Sequence, residues 1–258
     1  MEDGKVQFAI LTPTYNRPEI LLRAILSVQK QVMDIGQNYL HIIINDSPDA
    51  DYSGIEKLIS TDSKIIYIKN KENLGKNASL NTALGYLRSH NFTGYIVFLD
   101  DDDWLAPNCL ELFNKKINET GSKWVVSNRG YEDGTCITKN NTGQNTISYN
   151  VDYLLCRTFS GDATHAIDFA VAATCHFPLT IKNADEWVFF SAAQKQIGRF
   201  LYINTTGTYT SGYRDDGLTV APNKIPLHKT LKEISSAHIV SPATLAYFVL
   251  RALKRLYK

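Results

Sequence analysis

Four consecutive aspartates occupy positions 100–103, directly behind the apolar run Tyr-Ile-Val-Phe-Leu at positions 95–99. A short apolar run of this kind is typical of a buried strand. Carboxylates packed this closely repel one another strongly unless a positive charge lies among them. An oxygen-only cluster suits Mg²⁺ or Mn²⁺, and such cations commonly bridge one or two carboxylates and a substrate phosphate. The sequence therefore predicts a metal–diphosphate site at the end of a strand, rather than a solvated turn.

Composition limits the kinds of partner that the chain is expected to have. A chain of 258 residues can bury one large core, or one core with a small appendage. The net charge of +1 gives no electrostatic argument for a nucleic-acid partner. The first residues lack the basic start and long apolar stretch of a signal peptide, and no run is long and apolar enough to span a bilayer. We therefore expect a cytoplasmic protein that does not bind nucleic acid.

Strand-like and helix-like segments alternate through the first half of the chain. The predicted strands cover residues 6–11, 40–44, 64–68, 95–99 and 123–127, and the predicted helices cover 18–31, 54–60, 76–88 and 107–117. Repeated units of a strand followed by a helix predict an α/β fold with a doubly wound, mainly parallel sheet flanked by helices.

The second half of the chain is less regular. Residues 130–150 are rich in Gly, Asn and Thr and predict loops with room for a hairpin, and residues 205–223 predict a flexible, glycine-containing stretch. Helices are predicted at 185–196 and, as an amphipathic terminal helix, at 241–258.

Polar residues follow each of the first four predicted strands. Ligands of doubly wound sheets bind outside the carboxyl ends of the strands, so these loops are expected to form one site. The dinucleotide-binding pattern Gly-x-Gly-x-x-Gly and the Walker pattern are both absent from the sequence. The loops therefore predict a nucleotide held by scattered side chains and a metal.

Four ordered motifs carry a family resemblance. They read Thr-Pro-Thr-Tyr-Asn-Arg-Pro at 12–18, Asn-Asp-Ser at 45–47, Glu-Asn-Leu-Gly at 72–75 and Phe-Leu-Asp-Asp-Asp-Asp-Trp at 98–104. Together they resemble the family 2 glycosyltransferases with the GT-A fold. The resemblance implies an inverting, hexosyltransferase-type enzyme that uses a nucleotide-diphosphate sugar, most often a UDP-sugar, together with Mn²⁺ or Mg²⁺.

The resemblance also implies roles for particular residues. Nucleotide binding falls to residues in or directly beside the four motifs, namely Thr12, Thr14, Asn16, Arg17, Asp46, Asn73, Gly75, Lys76, Asp100 and Asp101. Within this set, Thr14, Asn16, Arg17 and Asp46 would surround the base and ribose. Asp100 and Asp102 match the family's Asp-x-Asp motif and would hold the metal, with Asp102 the expected direct ligand.

In the second half, Asp185 and Glu186 stand where the family has an acidic pair that opens a helix and supplies the catalytic base. Many members read Glu-Asp, whereas this chain reads Asp-Glu, and the spacing to Phe189 favours Asp185 as the base. Simple capping of the helix by acidic residues is the alternative interpretation. Arg214, in a Tyr-Arg pair, is predicted either to contact phosphate or to form a surface salt bridge.

The resemblance implies a single catalytic domain at 1–240, with a nucleotide-sugar-binding half at 1–105 and an acceptor-binding half at 106–240. The acceptor would be a saccharide or a lipid-linked saccharide in surface-glycan biosynthesis. The terminal helix at 241–258 has an apolar face and a basic face. It is predicted either to lie on the inner face of an anionic membrane as a peripheral contact or to pack against the catalytic domain.

Two other functions compete with glycosyl transfer. A nucleotidyltransferase can share a similar nucleotide-binding half, but it usually carries a glycine-rich, basic N-terminal loop that this sequence lacks. A sugar-nucleotide-binding pseudoenzyme would not need both the aspartate row and the acidic pair.

Overall fold

The computed structural model describes residues 6–31, 39–179, 186–211 and 242–256. The strands are β1 (Phe8–Thr14), β2 (Tyr39–Asn45), β3 (Ile65–Lys69), β4 (Tyr95–Phe98), β5 (Asp103–Leu105), β6 (Trp124–Gly130), β7 (Lys139–Asn140), β8 (Thr146–Ile147), β9 (Phe159–Ser160), β10 (Ala163–Asp168) and β11 (Phe200–Thr210). The helices are α1 (Pro18–Gln29), α2 (Ser53–Ile59), α3 (Lys76–Ser89), α4 (Cys109–Thr120), α5 (Phe169–Ala172), α6 (Trp187–Ile197) and α7 (Pro242–Leu256), with a π-helical segment at Tyr149–Leu155.

A central sheet follows the order β3-β2-β1-β4-β10-β6-β11-β5, with β8 paired to β11. The first four of these strands are parallel. Strand β10 then inserts antiparallel between β4 and β6, and β11 returns parallel to β6. The predicted α/β fold with a mainly parallel sheet is confirmed, and the elements predicted in the first half are present with small shifts at their ends.

Helices cover both faces of the sheet because successive residues of a strand point to opposite sides. On β1, Ala9 and Leu11 join one buried cluster, which α3 covers with Leu80, Ala83, Leu84 and Leu87. Phe8 and Ile10 join the other cluster, which α1 and α4 cover. Full burial of each such leucine contributes about 2 kcal/mol, so the helices fix the sheet and with it the loops at its carboxyl edge.

The predicted flexible stretch at 205–223 is wrong for residues 205–210, which belong to strand β11 (Phe200–Thr210). Thr208 and Thr210 are buried there, as β-branched residues often are in strands. Gly207 is not a sign of flexibility, because a Cβ at this position would collide with the Ser127 hydroxyl. The rest of that stretch, residues 212–223, lies outside the described residues.

The loop region at 130–150 contains a tight turn, closed by the Tyr131 N–H and the Thr135 carbonyl at 2.8 Å. An antiparallel bridge joins Gly130 to Cys136 beside this turn. Strand β7, however, pairs with β9 rather than with a sequence neighbour. The division into domains that the sequence predicts stays a prediction.

Helix α7 packs against the sheet domain through Phe248, whose ring centroid lies 4.1 Å from that of Trp187. Phe248 is 1% exposed, whereas Val249, Leu250 and Leu253 on the same helix remain exposed. The helix therefore packs on the domain through Phe248 and still has an exposed apolar surface that could contact a membrane. Among the residues that the structure describes, none of the helices combines the length and hydrophobicity needed to cross a bilayer.

Candidate active site

A cleft of about 820 Å³ opens at the carboxyl ends of β1, β2 and β4. Its lining includes most of the side chains that the sequence assigns to nucleotide and metal: Thr14, Asn16, Arg17, Asp46, Asn73, Gly75, Lys76, Asp100, Asp101 and Asp102, together with Glu186. Among the predicted site residues that the structure describes, Thr12 is the exception, since it is fully buried and its hydroxyl lies 2.9 Å from His41 Nε2. The structure thus places Thr12 in the support of the sheet rather than in the cleft.

The loop after β1 is bonded to the aspartate row. The Thr14 hydroxyl donates to Asp101 Oδ2 at 2.8 Å, and Arg17 Nη1 lies 3.4 Å from both Asp101 Oδ1 and Asp102 Oδ2. Asn16 adopts a positive φ of 54° and its N–H donates to the Ser47 hydroxyl at 2.7 Å. Burial raises the pKa of Asp101 to about 6, against the opposing effect of its bond from Thr14.

Asp46 orders the loop that leads into α3. One of its oxygens accepts from the Leu74 N–H at 2.9 Å and from the Asn70 amide at 2.8 Å, while the other accepts from the Gly75 N–H at 2.7 Å. Gly75 has a φ of 91°, in the region that glycine tolerates best. Asp46 therefore both lines the cleft and fixes the backbone immediately before Lys76.

The aspartate row divides into two sets. Asp100, Asp102 and Asp103 each offer a carboxylate oxygen, and these oxygens lie within 4.8 Å of one another. Three oxygen donors this close fit a hard divalent cation. Asp101 instead belongs with Thr14 and Arg17. The sequence prediction paired Asp100 with Asp102, and the structure adds the buried Asp103 to that group.

Three cations surround the acidic group. Lys76 Nζ lies 2.7 Å from Asp100 Oδ1 and 2.7 Å from Glu186 Oε1. Burial favours neutral Lys76, but these two carboxylates outweigh it and raise the pKa of the ammonium above its usual value. Burial would likewise raise the pKa of Asp100, yet Lys76 and Arg129 together hold it below its usual value. Arg17 supplies the third cation.

Arg129 and Asp162 were missed by the sequence analysis. Arg129 Nη2 lies 2.8 Å from Asp103 Oδ1, and its Nη1 lies 3.2 Å from Asp162 Oδ2. Burial raises the pKa of Asp103 to about 7, with Arg129 opposing that rise. Single charged residues in the second half carry no motif, and only the pairing of β6, β10 and β11 reveals that these two reach the cleft.

Glu186 immediately precedes α6 and faces the cleft, as the predicted acidic pair requires. Asp185 and Arg214 lie outside the described residues, so their roles stay predictions. The lining of the cleft also includes an aromatic group, called here the aromatic wall, which comprises Tyr149, Tyr153, Phe177, Trp187, Phe190, Tyr247 and Phe248. His165 joins this wall, where its Nδ1 accepts from the Trp124 indole at 3.0 Å and burial lowers its pKa to about 3.

The family model described as "Glycosyl transferase family 2" matches residues 9–175. The chain belongs to this family, as the four ordered motifs indicate.

Two curated relatives resemble parts of the chain. The glycosyltransferase GlyA of Streptococcus pneumoniae is 31% identical over 128 residues, which cover 49% of this chain and 17% of the relative. The Campylobacter jejuni "GalNAc(5)-diNAcBac-PP-undecaprenol beta-1,3-glucosyltransferase" is 32% identical over 116 residues, which cover 44% of this chain and 35% of the relative. The match spans well under half the length of either relative.

Solved structures of S. aureus TarS share the fold. Residues 1–349 of TarS in complex with UDP-GlcNAc match with a TM-score of 0.74 and 17% identity, covering 97% of this chain and 71% of that chain. The same fragment in complex with UDP matches with a TM-score of 0.65 and 18% identity, covering 79% and 60%. Likeness at this identity establishes the GT-A fold, and the predicted fold class is confirmed.

Proposed function

We propose that this protein is an inverting glycosyltransferase that moves a sugar from a nucleotide-diphosphate sugar, foremost a UDP-sugar, to a hydroxyl of a saccharide or lipid-linked acceptor. The observation that carries the proposal is the bridge made by Lys76, whose ammonium contacts Asp100 and Glu186 at 2.7 Å each. The aspartate row and the acidic pair are far apart in sequence, and a sugar-transfer site needs both in one cleft.

The metal requirement is part of the proposal. The carboxylates of Asp100, Asp102 and Asp103 fit Mn²⁺ or Mg²⁺ because all donors are oxygens within 4.8 Å of one another. When bound, such a cation neutralises the charge that builds on the departing diphosphate. Arg17 and Lys76 border the same carboxylates and offer positive charge to the phosphates from the protein itself.

The nucleoside is assigned to the polar wall of the cleft. Asn16, Arg17, Asp46 and Asn73 line it at the ends of β1 and β2 and in the loop before α3. TarS has been solved in complex with UDP and in complex with UDP-GlcNAc. This supports a uridine nucleotide as the first donor to test here.

The acceptor hydroxyl must lose a proton as it attacks the anomeric carbon, and a carboxylate takes it. We assign that role to Asp185, with Glu186 beside it. A position before a helix favours the ionised carboxylate that a base requires, because free N–H groups and the helix dipole stabilise negative charge there.

A lipid-linked acceptor would bring the enzyme to the inner face of a membrane. The C. jejuni relative is named for an undecaprenol-linked glycan, to which it adds glucose. Val249, Leu250 and Leu253 on α7 stay exposed after Phe248 has packed against the domain, and they offer an apolar surface to lipid. Peripheral attachment through α7, in the cytoplasm, is therefore part of this proposal.

A donor panel tests the function directly. Purified full-length chain is incubated with UDP-, GDP- and dTDP-sugars plus Mn²⁺, and released nucleotide and the anomeric configuration of the product are followed by NMR. We expect turnover with a UDP-sugar and inversion at the anomeric carbon. Formation of a nucleotide sugar from a nucleoside triphosphate would instead identify a nucleotidyltransferase, and binding without any turnover would identify a pseudoenzyme.

A further inference from the structure

Lys76 is held at the point where the two acidic parts of the cleft meet. It is the first residue of α3, and the two N–H groups before it, of Leu74 and Gly75, are bonded to the buried Asp46 carboxylate. Its backbone is therefore fixed, while its flexible four-carbon side chain allows the ammonium to contact different oxygens. The ammonium contacts one carboxylate after β4 and another before α6.

We propose that Lys76 is a positioning residue that competes with the divalent cation for Asp100 and holds Glu186 in the cleft, so that Glu186 positions the start of α6 rather than acting as the base. This inference rests on the proposed function and deepens it. Before the donor and its cation bind, Lys76 neutralises Asp100 and keeps the start of α6 beside the aspartate row. With Asp100 engaged by a cation, the ammonium would keep its contact with Glu186 and would have its other N–H donors available to the diphosphate.

The competition follows from the contact itself. An ammonium 2.7 Å from Asp100 Oδ1 occupies a lone pair that a cation would need, and two positive charges at one oxygen repel each other. Arg129 cannot relax in the same way, because its guanidinium is also bound to Asp162 and to the Thr210 hydroxyl. Lys76 contacts Asp100 itself at 2.7 Å, whereas Arg17 lies 3.4 Å from Asp102, so Lys76 is the cation expected to yield Asp100 to the metal.

The assignment of Glu186 follows from its partner. Its Oε1 already accepts from an ammonium at 2.7 Å, and its side chain joins α6 to the loop after β4. We therefore assign Glu186 a positioning role: its bond to Lys76 fixes the start of α6. A base has a different task, which is to accept the proton of the acceptor hydroxyl. The chain offers a matched comparison on α4, where Lys116 and Glu119 form an exposed pair at the same 2.7 Å.

The first test is titration of Mn²⁺ into the full chain without donor, comparing wild type, Lys76→Met and the control Lys116→Met. We expect Lys76→Met to bind Mn²⁺ about three- to tenfold more tightly, since a competing charge is gone, and Lys116→Met to match wild type. With saturating Mn²⁺, Lys76→Met should bind UDP more weakly. Unchanged or weaker Mn²⁺ binding by Lys76→Met would overturn the proposal. If that variant does not fold, Lys76→Gln is titrated in its place with the same expectation.

The second test is a double-mutant cycle on transfer, using Lys76→Met, Glu186→Gln and the combination. If the two residues act as one unit, the combination should lower kcat no more than about threefold beyond the larger single effect. Lys76→Arg, which keeps the charge, should restore most of kcat. A loss of about 10²–10⁴-fold for Glu186→Gln that is independent of Lys76 would make Glu186 the base and contradict the assignment. Absence of transfer by wild type with every donor would refute the proposed function, while the Mn²⁺ titration would still decide the competition at Asp100.

Discussion

The two walls of the cleft differ in chemistry and in construction. The polar wall comes from the carboxyl ends of β1, β2 and β4 and from the loop between β3 and α3. Its side chains bond to neighbouring groups, as Thr14 does to Asp101 and Asp46 does to the backbone at Gly75. The aromatic wall comes from the π-helical segment, β10, α6, α7 and the residues after α5, and its rings pack closely, as Tyr149 and Phe190 do with their centroids 5.3 Å apart. Polar side chains held in place by their own hydrogen bonds suit the charged part of a ligand. The aromatic wall suits a less polar part.

The largest effect is expected on the polar wall, at the metal ligands. Asp102→Ala removes a carboxylate from the group of three oxygens within 4.8 Å and should abolish transfer, a loss of more than about 10³-fold, without unfolding the chain. The control is Asp49→Ala, an exposed carboxylate outside the cleft. Transfer rates and thermal melts check both variants, and wild-type activity that persists in EDTA would sink this prediction.

The second largest effect is expected at the acidic pair Asp185–Glu186, which directly precedes α6. Asp185→Asn should lower kcat by about 10²–10⁴-fold with little change in donor affinity, because a base acts on the acceptor and not on the nucleotide. Steady-state kinetics with varied donor separate the two quantities. A greater kcat loss for Glu186→Gln than for Asp185→Asn would transfer the base to Glu186.

The polar wall was readable from sequence because its residues lie within a few positions of a strand end, and the carboxyl ends of parallel strands meet at one edge of the sheet. Gly75 and Lys76 follow β3 in this way. The prediction that Thr12 lines the cleft was wrong because Thr12 lies within β1, where its hydroxyl contacts the His41 ring. Arg129 and Asp162 could not be read, since they reach Asp103 only after β10 has inserted antiparallel between β4 and β6.

Arg129 on β6 connects the second half of the sheet to the aspartate row through Asp103, and its replacement should lower the stability of the fold. Asp103 is only 4% exposed in its side chain, so Arg129→Met would leave a buried carboxylate without its guanidinium partner. We expect a fall of about 3–5 kcal/mol in the free energy of unfolding, as for other broken buried pairs. Urea denaturation measures it, and a change below about 1 kcal/mol would show that β5 and β6 do not depend on this contact.

Two of the histidines that the structure describes lie in the interior: His41 on β2 is fully buried, and His165 on β10 is half-buried in the aromatic wall. Burial lowers the pKa of each to about 3, from an ordinary value of 6.5. Between pH 6.5 and pH 3, each histidine is protonated in the unfolded chain but neutral in the folded chain. Its contribution to the free energy of unfolding is therefore highest above pH 6.5 and decreases as the pH falls toward 3. The slope is about 1.4 kcal/mol per pH unit for each histidine.

Variants isolate this effect, because Asp101 and Asp103, whose raised pKa values act in the opposite direction, are unchanged between the proteins. His41→Gln should lose about 1.4 kcal/mol per pH unit less than wild type between pH 6 and pH 4. Urea unfolding at several pH values provides the comparison. Parallel pH profiles for wild type and His41→Gln would contradict the neutral, buried state of His41.

The smallest effect is expected at α7. Changing both Leu250 and Leu253, which are 55% and 45% exposed, to Glu should reduce sedimentation with anionic liposomes a few-fold without altering the fold. Leu58→Glu, at a similarly exposed position on α2, is the matched control. Equal sedimentation of all three proteins would leave α7 with a packing role alone.

Metal-linked nucleotide binding is the central claim, and calorimetric titration of UDP into the full chain tests it most directly. The carboxylates of Asp100, Asp102 and Asp103 repel a diphosphate unless a divalent cation lies between them. The account predicts measurable UDP binding in Mn²⁺ and at least about tenfold weaker binding in EDTA. Equal affinity in Mn²⁺ and EDTA, or no binding in either, would contradict it.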